Sequence, residues 1–444
     1  MKERYKLVIF FLILLTGKTV LAEWSEPGHQ QRISLQLPAA EKEVQAGMVI
    51  PGSDFWRWTG FPQARTNSFR VYQGKRALAY QVEERQPGGL PAKPDGFFDD
   101  ADLLLFVVTL TSNTEPVYLY YDGPEIAKSD NVAEVTIVQK EGSLIPLTIT
   151  ANQLTVGIRG GGDSGEKKIE NFGRGCFVFL SWKTLTLLDF RSSWGNFLPR
   201  SIGSGPEAGK WSEPKILYNG PIRTLVELTC DNYQVKKENQ LIFSGKITRL
   251  LSVWHQVPVL EVEEFVSYKS AIFSWSWPYS FSLPVGKKLD ENDCLIVPLA
   301  GNFYVRKISQ TRAEIEARPW QVLYATENPE EGWFAWQDTV EKTGLAVFYE
   351  KLAPIVQRAA WVSYRPPLHP QIQLRTTPYP SAENNLSFLD RALACRNHYS
   401  HQLRFIFVSD EAPETIRTLY HLWAGLPGSF PVVSSPERKT EREK

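Results

Sequence analysis

With 444 residues, 43% of them hydrophobic and 22% charged, the chain is ordinary globular material, long enough for two or more domains and too large to need disulfides for stability. The 49 basic and 49 acidic residues cancel, which excludes a net field that would draw in nucleic acid from a distance; an anionic ligand would need a local basic site. Cys176, Cys230, Cys294 and Cys395 are scattered without CxxC or Cys/His metal spacing, so any bridging is unreadable and no metal or other cofactor is expected from them.

The opening Met1-Lys2-Glu3-Arg4-Tyr5-Lys6 is charged, Leu7 to Leu15 is apolar, and Val20-Leu21-Ala22 ends in small residues, the pattern of a secretory signal over residues 1–22. A spanning helix needs about 20 apolar residues. The run is therefore too short to anchor, and the absence of Cys at the cleavage region removes a lipid attachment point. The expected product is periplasmic or secreted, with no membrane span.

Residues 23–128 read as a small antiparallel β-sandwich, with strands at Arg32 to Leu37, Ser68 to Tyr72, Leu103 to Leu110 and Val117 to Tyr121. Pro87 to Gly96 holds too many Pro and Gly to continue a strand and reads as a long loop. Asp95, Asp99, Asp100 and Asp102 form an acidic cluster that is either a solvated turn or a calcium site, although the spacing is not that of an EF-hand loop. The segment Glu125 to Asn131 is the expected boundary.

From 129 to 430 the strands lengthen: Ile145 to Thr150, Cys176 to Trp182, Ile222 to Cys230, Leu241 to Trp254, Val259 to Tyr268, Gly344 to Tyr349 and Gln402 to Val408. Strand follows strand, which predicts stacked antiparallel sheets. Only Glu411 to Trp423 has helical spacing, through Ile416, Leu419, Tyr420 and Trp423. Residues 431–444 form a charged tail, and from Ser434 it lacks apolar residues and is expected to be disordered. The fold class is all-β: a small sandwich followed by a large supersandwich.

Leu241, Phe243, Ile247, Leu251 and Val253 are odd-numbered, whereas Pro258, Leu260, Val262 and Val266 are even-numbered. Placing both sets on one face requires paired numbers that sum to an odd value, with the turn centred between Gln256 and Val257. Arg249 then lies opposite Glu264. Two charges on apolar faces need each other, because an unpaired buried charge costs several kcal/mol. They form either a structural pair or part of a polar binding face. His255 falls in the turn, where a solvated histidine is the ordinary outcome and an acid/base role the alternative.

In Phe273-Ser-Trp-Ser-Trp-Pro-Tyr-Ser-Phe281 an aromatic ring occupies every odd position, so a strand would carry Trp275, Trp277 and Tyr279 on one face. Such a stripe is either core or a platform for sugar rings. Trp336 and Asp338 share a face in a second cluster. Arg159 to Gly165 is glycine-rich but lacks the ending of a phosphate loop and reads as a turn. Neither a GxSxG elbow nor an HExxH pair occurs, so hydrolases marked by those motifs are not supported.

The order of Gly220-Pro-Ile-Arg-Thr-Leu-Val-Glu-Leu, the hairpin through Val266, Trp277-Pro-Tyr-Ser-Phe-Ser-Leu-Pro and Trp333-Phe-Ala-Trp-Gln-Asp with Gly344-Leu-Ala-Val-Phe resembles a galactose mutarotase-like supersandwich. More narrowly it resembles the exo-rhamnogalacturonan-lyase-like group, and Phe69-Arg-Val-Tyr-Gln-Gly-Lys-Arg, Asp102-Leu-Leu-Leu-Phe and Tyr118-Leu-Tyr-Tyr-Asp-Gly resemble the sandwich that precedes such domains. The helical barrel that many lyases of this group carry has no counterpart here. The resemblance implies a polysaccharide or oligosaccharide partner and, for a lyase, β-elimination of uronate-containing glycans. It implies Arg223 and Arg249 as cations, His255 as base and Tyr268 as base or acid, with Glu264, Trp275, Trp277, Tyr279, Trp336 and Asp338 toward the substrate. A mutarotase would pair Glu264 with His255. The competing classes are a non-catalytic carbohydrate-binding protein and a structural envelope protein.

Overall fold

The computed structural model describes residues 26, 28–61, 64–125, 134–143, 145–160, 175–183, 185–189, 198–199, 207–208, 210–237, 240–271, 278–282, 292–299, 302–307, 321–327, 331–349, 351, 359–365, 368–375, 398–409, 411–425, 432–433 and 436–438. The proposed signal, residues 126–131 of the proposed domain boundary, and Trp275 and Trp277 lie outside them.

The architecture is all-β and antiparallel. A ten-stranded sheet dominates. Its central order is Arg223–Lys237, Gln240–Trp254, Val259–Ala271, His398–Val408, Thr343–Phe348, Trp333–Asp338, Asp293–Leu299 and Asn302–Lys307. A five-stranded sheet spanning Val135–Gln139 to Leu185–Asp189 packs on one face, joined through Leu147, Val156, Phe177 and Trp182 to Leu251, Val262 and Phe405. The opposite face carries Trp254, Val259, Trp333 and Ile406, which share a second core with Met48, Phe69, Leu104 and Leu119 of the amino-terminal sandwich. Because both faces are covered, Trp333–Asp338 is buried at every position and shows no alternation. Each fully buried Val, Leu, Ile or Phe contributes roughly 1.5–3 kcal/mol, so these cores carry the fold.

The small sandwich pairs Gln31–Gln36, Val117–Tyr120, Arg70–Gln73 and Arg76–Leu78 in one sheet and Val44–Pro51, Leu103–Leu110 and Tyr80–Glu83 in the other. Between them sits helix α1, Gly52–Thr59, which sequence periodicity did not predict. It opens after Pro51 and closes at Gly60 in the left-handed region, and Phe55 is its buried anchor. Helix α2, Pro413–Ala424, falls where the apolar spacing predicted it and buries Ile416, Leu419, Tyr420 and Trp423.

Of the carboxy-terminal tail, residues 432–433 and 436–438 are described. Val432–Val433 and Glu437–Arg438 both pair with Gln31–Gln36, and the buried Arg32 bonds the Glu437 carboxylate at 2.8 Å. Glu437–Arg438, charged and without an apolar face, is held by ladder bonds and an ion pair, which hydrophobic patterning cannot reveal.

Candidate functional site

The odd-sum register holds: Arg249 pairs with Glu264 and Val253 with Leu260. Even-numbered residues of 259–267 therefore face the five-stranded sheet and odd-numbered ones face the small sandwich. The two faces carry different polar clusters.

On the first face Arg249 Nε donates to Glu264 at 2.6 Å, Arg249 Nη1 donates to the Gly175 carbonyl at 3.1 Å, and its guanidinium lies 4.6 Å from the Trp211 ring centre. His401 Nε2 stands 3.8 Å from the other Glu264 oxygen. Burial pushes His401 down to about 4 against the pull of Glu264, so the imidazole is neutral at ordinary pH. Arg249 is fully buried and Glu264 nearly so. The pair is a packed ion bridge within the described residues.

The second face holds a longer network. Glu83, at the end of the Tyr80–Glu83 strand, takes a two-pronged bond from Arg223, at 2.7 Å to each oxygen, and a third from Arg85 at 2.7 Å. Arg223 continues to Glu261 at 2.6 Å, and Glu261 also accepts from Arg404 at 2.7 Å and Trp254 Nε1 at 3.0 Å. Burial alone would raise the Glu83 carboxyl, but Arg223 and Arg85 overturn it and hold the group at about 2. Glu261 is likewise held low by Arg404 and Arg223 against its burial. Gly47 lets the sandwich approach this closely, since a Cβ there would stand 2.6 Å from the Trp254 ring.

Beside this network lies a cleft of about 780 Å³ between the sandwich and the large sheet. Arg85, Glu263, Lys351 and Arg404 line it, Trp58 and the Asp54–Arg57 pair of helix α1 also border it, and Trp423 of helix α2 forms part of its wall. Lys351 Nζ sits 4.8 Å from the Trp423 ring centre and makes no ion pair among the described residues, although Glu261 and Glu263 favour its charged form from a distance. Burial, reinforced by Arg404, lowers its amine to about 8. Glu263 faces the cleft with one oxygen 3.5 Å from Arg85 Nη1. Its other oxygen is buried without a hydrogen-bond partner.

Several sequence candidates lie in buried contacts away from the cleft lining. Arg223 is consumed by Glu83 and Glu261, locking sandwich to sheet. His255 is 2% exposed rather than solvated: its Nε2 meets Thr224 Oγ1 at 2.9 Å, and burial lowers it to about 4, which makes it a poor base near neutrality. Trp336 lies in the core with its indole N–H on Asp293 at 3.2 Å. The Asp338 carboxylate accepts the Val340 and Glu341 amides and closes a turn. Tyr268 and Tyr279 occupy strands opposite Gly245 and Leu374, but their side chains lie outside the described residues. In the acidic cluster, Asp102 accepts the Arg85 and Asp99 amides, while Asp95 and Asp99 each cap a turn amide. Turn formation accounts for those contacts.

The apolar alternation of the hairpin does not single out the cleft residues. Glu261 and Glu263 alternate on its other side, and Gln402 and Arg404 alternate along His398–Val408, a period-two polar pattern that marks a second, polar face.

No protein-family model matches the chain, and no curated protein sequence matches it. Among solved structures it is similar to a glycosyl hydrolase family 38 protein from Enterococcus faecalis, with 10% identity, a TM-score of 0.45, and 97% of this chain and 50% of that chain covered. An α-mannosidase from Enterococcus faecalis V583 gives 10% identity and a TM-score of 0.44 over 94% of this chain and 47% of that one. The chain thus spans about half the length of both. A galactose mutarotase-like protein from Clostridium acetobutylicum gives 11% identity and a TM-score of 0.35, covering 64% of this chain and 100% of that one. These structures lend no support to the narrower lyase-like resemblance.

Proposed function

We propose that the protein is an exported, non-catalytic binder of acidic carbohydrate, and that uronate-containing chains occupy the cleft between the small sandwich and the large sheet. The observation that carries this reading is the unmatched charge of Lys351. In the cleft and the network behind it, Arg57, Arg85, Arg223, Arg404 and Lys351 meet four carboxylates, those of Asp54, Glu83, Glu261 and Glu263. Among the described residues every one of these arginines has a carboxylate within salt-bridge distance and the lysine has none, Glu261 and Glu263 acting on it only from farther away. A carboxylate entering the cleft would supply the missing counter-charge where burial strengthens the attraction. Trp58 at the border offers an indole against which the C–H face of a pyranose can lie.

The lyase reading keeps one observation in its favour. Lys351, lowered to about 8, is an amine that can accept a proton near neutral pH. The pairings of Arg223 and the burial of His255 count against the roles first assigned to them.

Calorimetric titration with oligogalacturonate and with a neutral galacto-oligosaccharide tests the binding reading. Saturable binding of the acid alone is expected, and equal binding of both, or of neither, overturns it. Absorbance at the unsaturated-uronate band, recorded on the same mixtures, should stay flat; a steady rise would establish elimination instead.

A further inference from the structure

Glu261 and Glu263 are two positions apart on one strand, so their side chains share a face, yet their surroundings differ. Both oxygens of Glu261 are taken by Arg223, Arg404 and Trp254. Among the described residues Glu263 has only the 3.5 Å approach to Arg85, and its second oxygen, buried, has no hydrogen-bond partner. Buried polar atoms are satisfied in the great majority of native proteins, so an unpartnered one on a residue that lines a cleft asks for a missing donor. A carboxylate accepts and does not donate. What completes it must therefore carry an O–H or an N–H.

The neighbouring charges narrow the choice. Arg85, Arg404 and Lys351 line the same cleft, and an incoming ammonium would meet all three. A hydroxyl meets no such repulsion. The final torsion of a glutamate is broad, so a partial turn of the carboxylate brings the unpartnered oxygen toward the cleft at little cost.

We infer that Glu263 is the specificity-determining residue of the cleft, accepting a hydrogen bond from a hydroxyl of a sugar acid whose carboxylate is held by the cations around Lys351. The inference rests on the acidic-carbohydrate reading and sharpens it: a ligand with a carboxylate and no hydroxyl lacks the second contact. Specificity of this kind is strong because the unfilled acceptor stays buried when the wrong ligand enters.

The test uses the methyl glycoside of galacturonic acid and each of its mono-O-methyl derivatives, titrated into the full-length protein and into Glu263→Ala. At least one derivative should bind the unaltered protein roughly tenfold or more weakly than the parent. In Glu263→Ala that derivative and the parent should bind alike. Glu263→Gln, which keeps the volume and one acceptor, should retain part of the discrimination and guards against a folding defect in the alanine variant. If the parent binds and every derivative binds equally, or if the discrimination survives in Glu263→Ala, the role of Glu263 is overturned while the binding reading stands. If the parent itself does not bind, the binding reading fails with it.

Discussion

The two faces of the central hairpin set two ion clusters back to back. Arg249 and Glu264 lie on one, packed beneath the five-stranded sheet; Glu261 and Glu263 lie on the other, against the small sandwich. Adjacent residues of one strand thus serve different ends. Glu264 and Glu261 each neutralise a buried arginine, whereas Glu263 keeps an oxygen without a partner beside a cleft. The contrast teaches that a buried charge is a poor guide to function by itself, and that the degree to which its hydrogen-bonding capacity is used is a better one.

The sharpest way to break this comparison is to remove its anchors. Arg223→Met leaves Glu83 and Glu261 without the cation they share, and the expected loss is about 3–5 kcal/mol in chemical denaturation. A loss under about 1 kcal/mol would mean that the network does not join sandwich to sheet. On the opposite face Arg249→Met should cost somewhat less, about 3 kcal/mol, because His401 stands ready beside Glu264. The imidazole would then gain a proton more readily than its present value of about 4 allows, so the loss should shrink as pH falls. Under conditions where the variant remains folded, its affinity for oligogalacturonate should be unchanged.

The cleft face should respond to pH through Lys351. An anion favours the protonated amine, so affinity should fall as pH rises through about 8, by up to about tenfold per pH unit. Lys351→Met should bind weakly at every pH, without that slope. Without ligand the sign reverses. The folded state holds the amine below its ordinary value of 10.5, so protonation costs stability below about pH 8, and that cost fades as pH climbs toward 10.5. Lys351→Met should therefore be the more stable protein at pH 7 and lose that advantage in alkali, as thermal melts across the range would show. The smallest effect belongs to Arg57, whose exposed side chain is already paired with Asp54; Arg57→Ala should weaken binding by less than about threefold, mainly at low salt.

Strand alternation made much of the large sheet legible. The odd-sum rule gave the pairing of Arg249 with Glu264 from the apolar residues alone, and helix α2 followed from Ile416, Leu419, Tyr420 and Trp423. Helix α1 was not legible, because Gly52–Thr59 is short and anchored by a single Phe55 that no local pattern singles out. The cleft was not legible for a different reason. Arg85, Lys351 and Arg404 come from three distant stretches: the pairing of Thr343–Phe348 with His398–Val408 sets Lys351 near Arg404, and the docking of the sandwich at Gly47 and Glu83 adds Arg85. Of the aromatic stripe, Trp275 and Trp277 lie outside the described residues.

The central claim is that ligand enters the face where Glu263 is open and not the face where Glu264 is closed. A crystal structure of the protein with oligogalacturonate tests it directly. The prediction is a sugar ring in the cleft, its carboxylate within salt-bridge reach of Lys351 and a hydroxyl on Glu263. Sugar density against Arg249, Glu264 and His401, with the cleft empty, would contradict it.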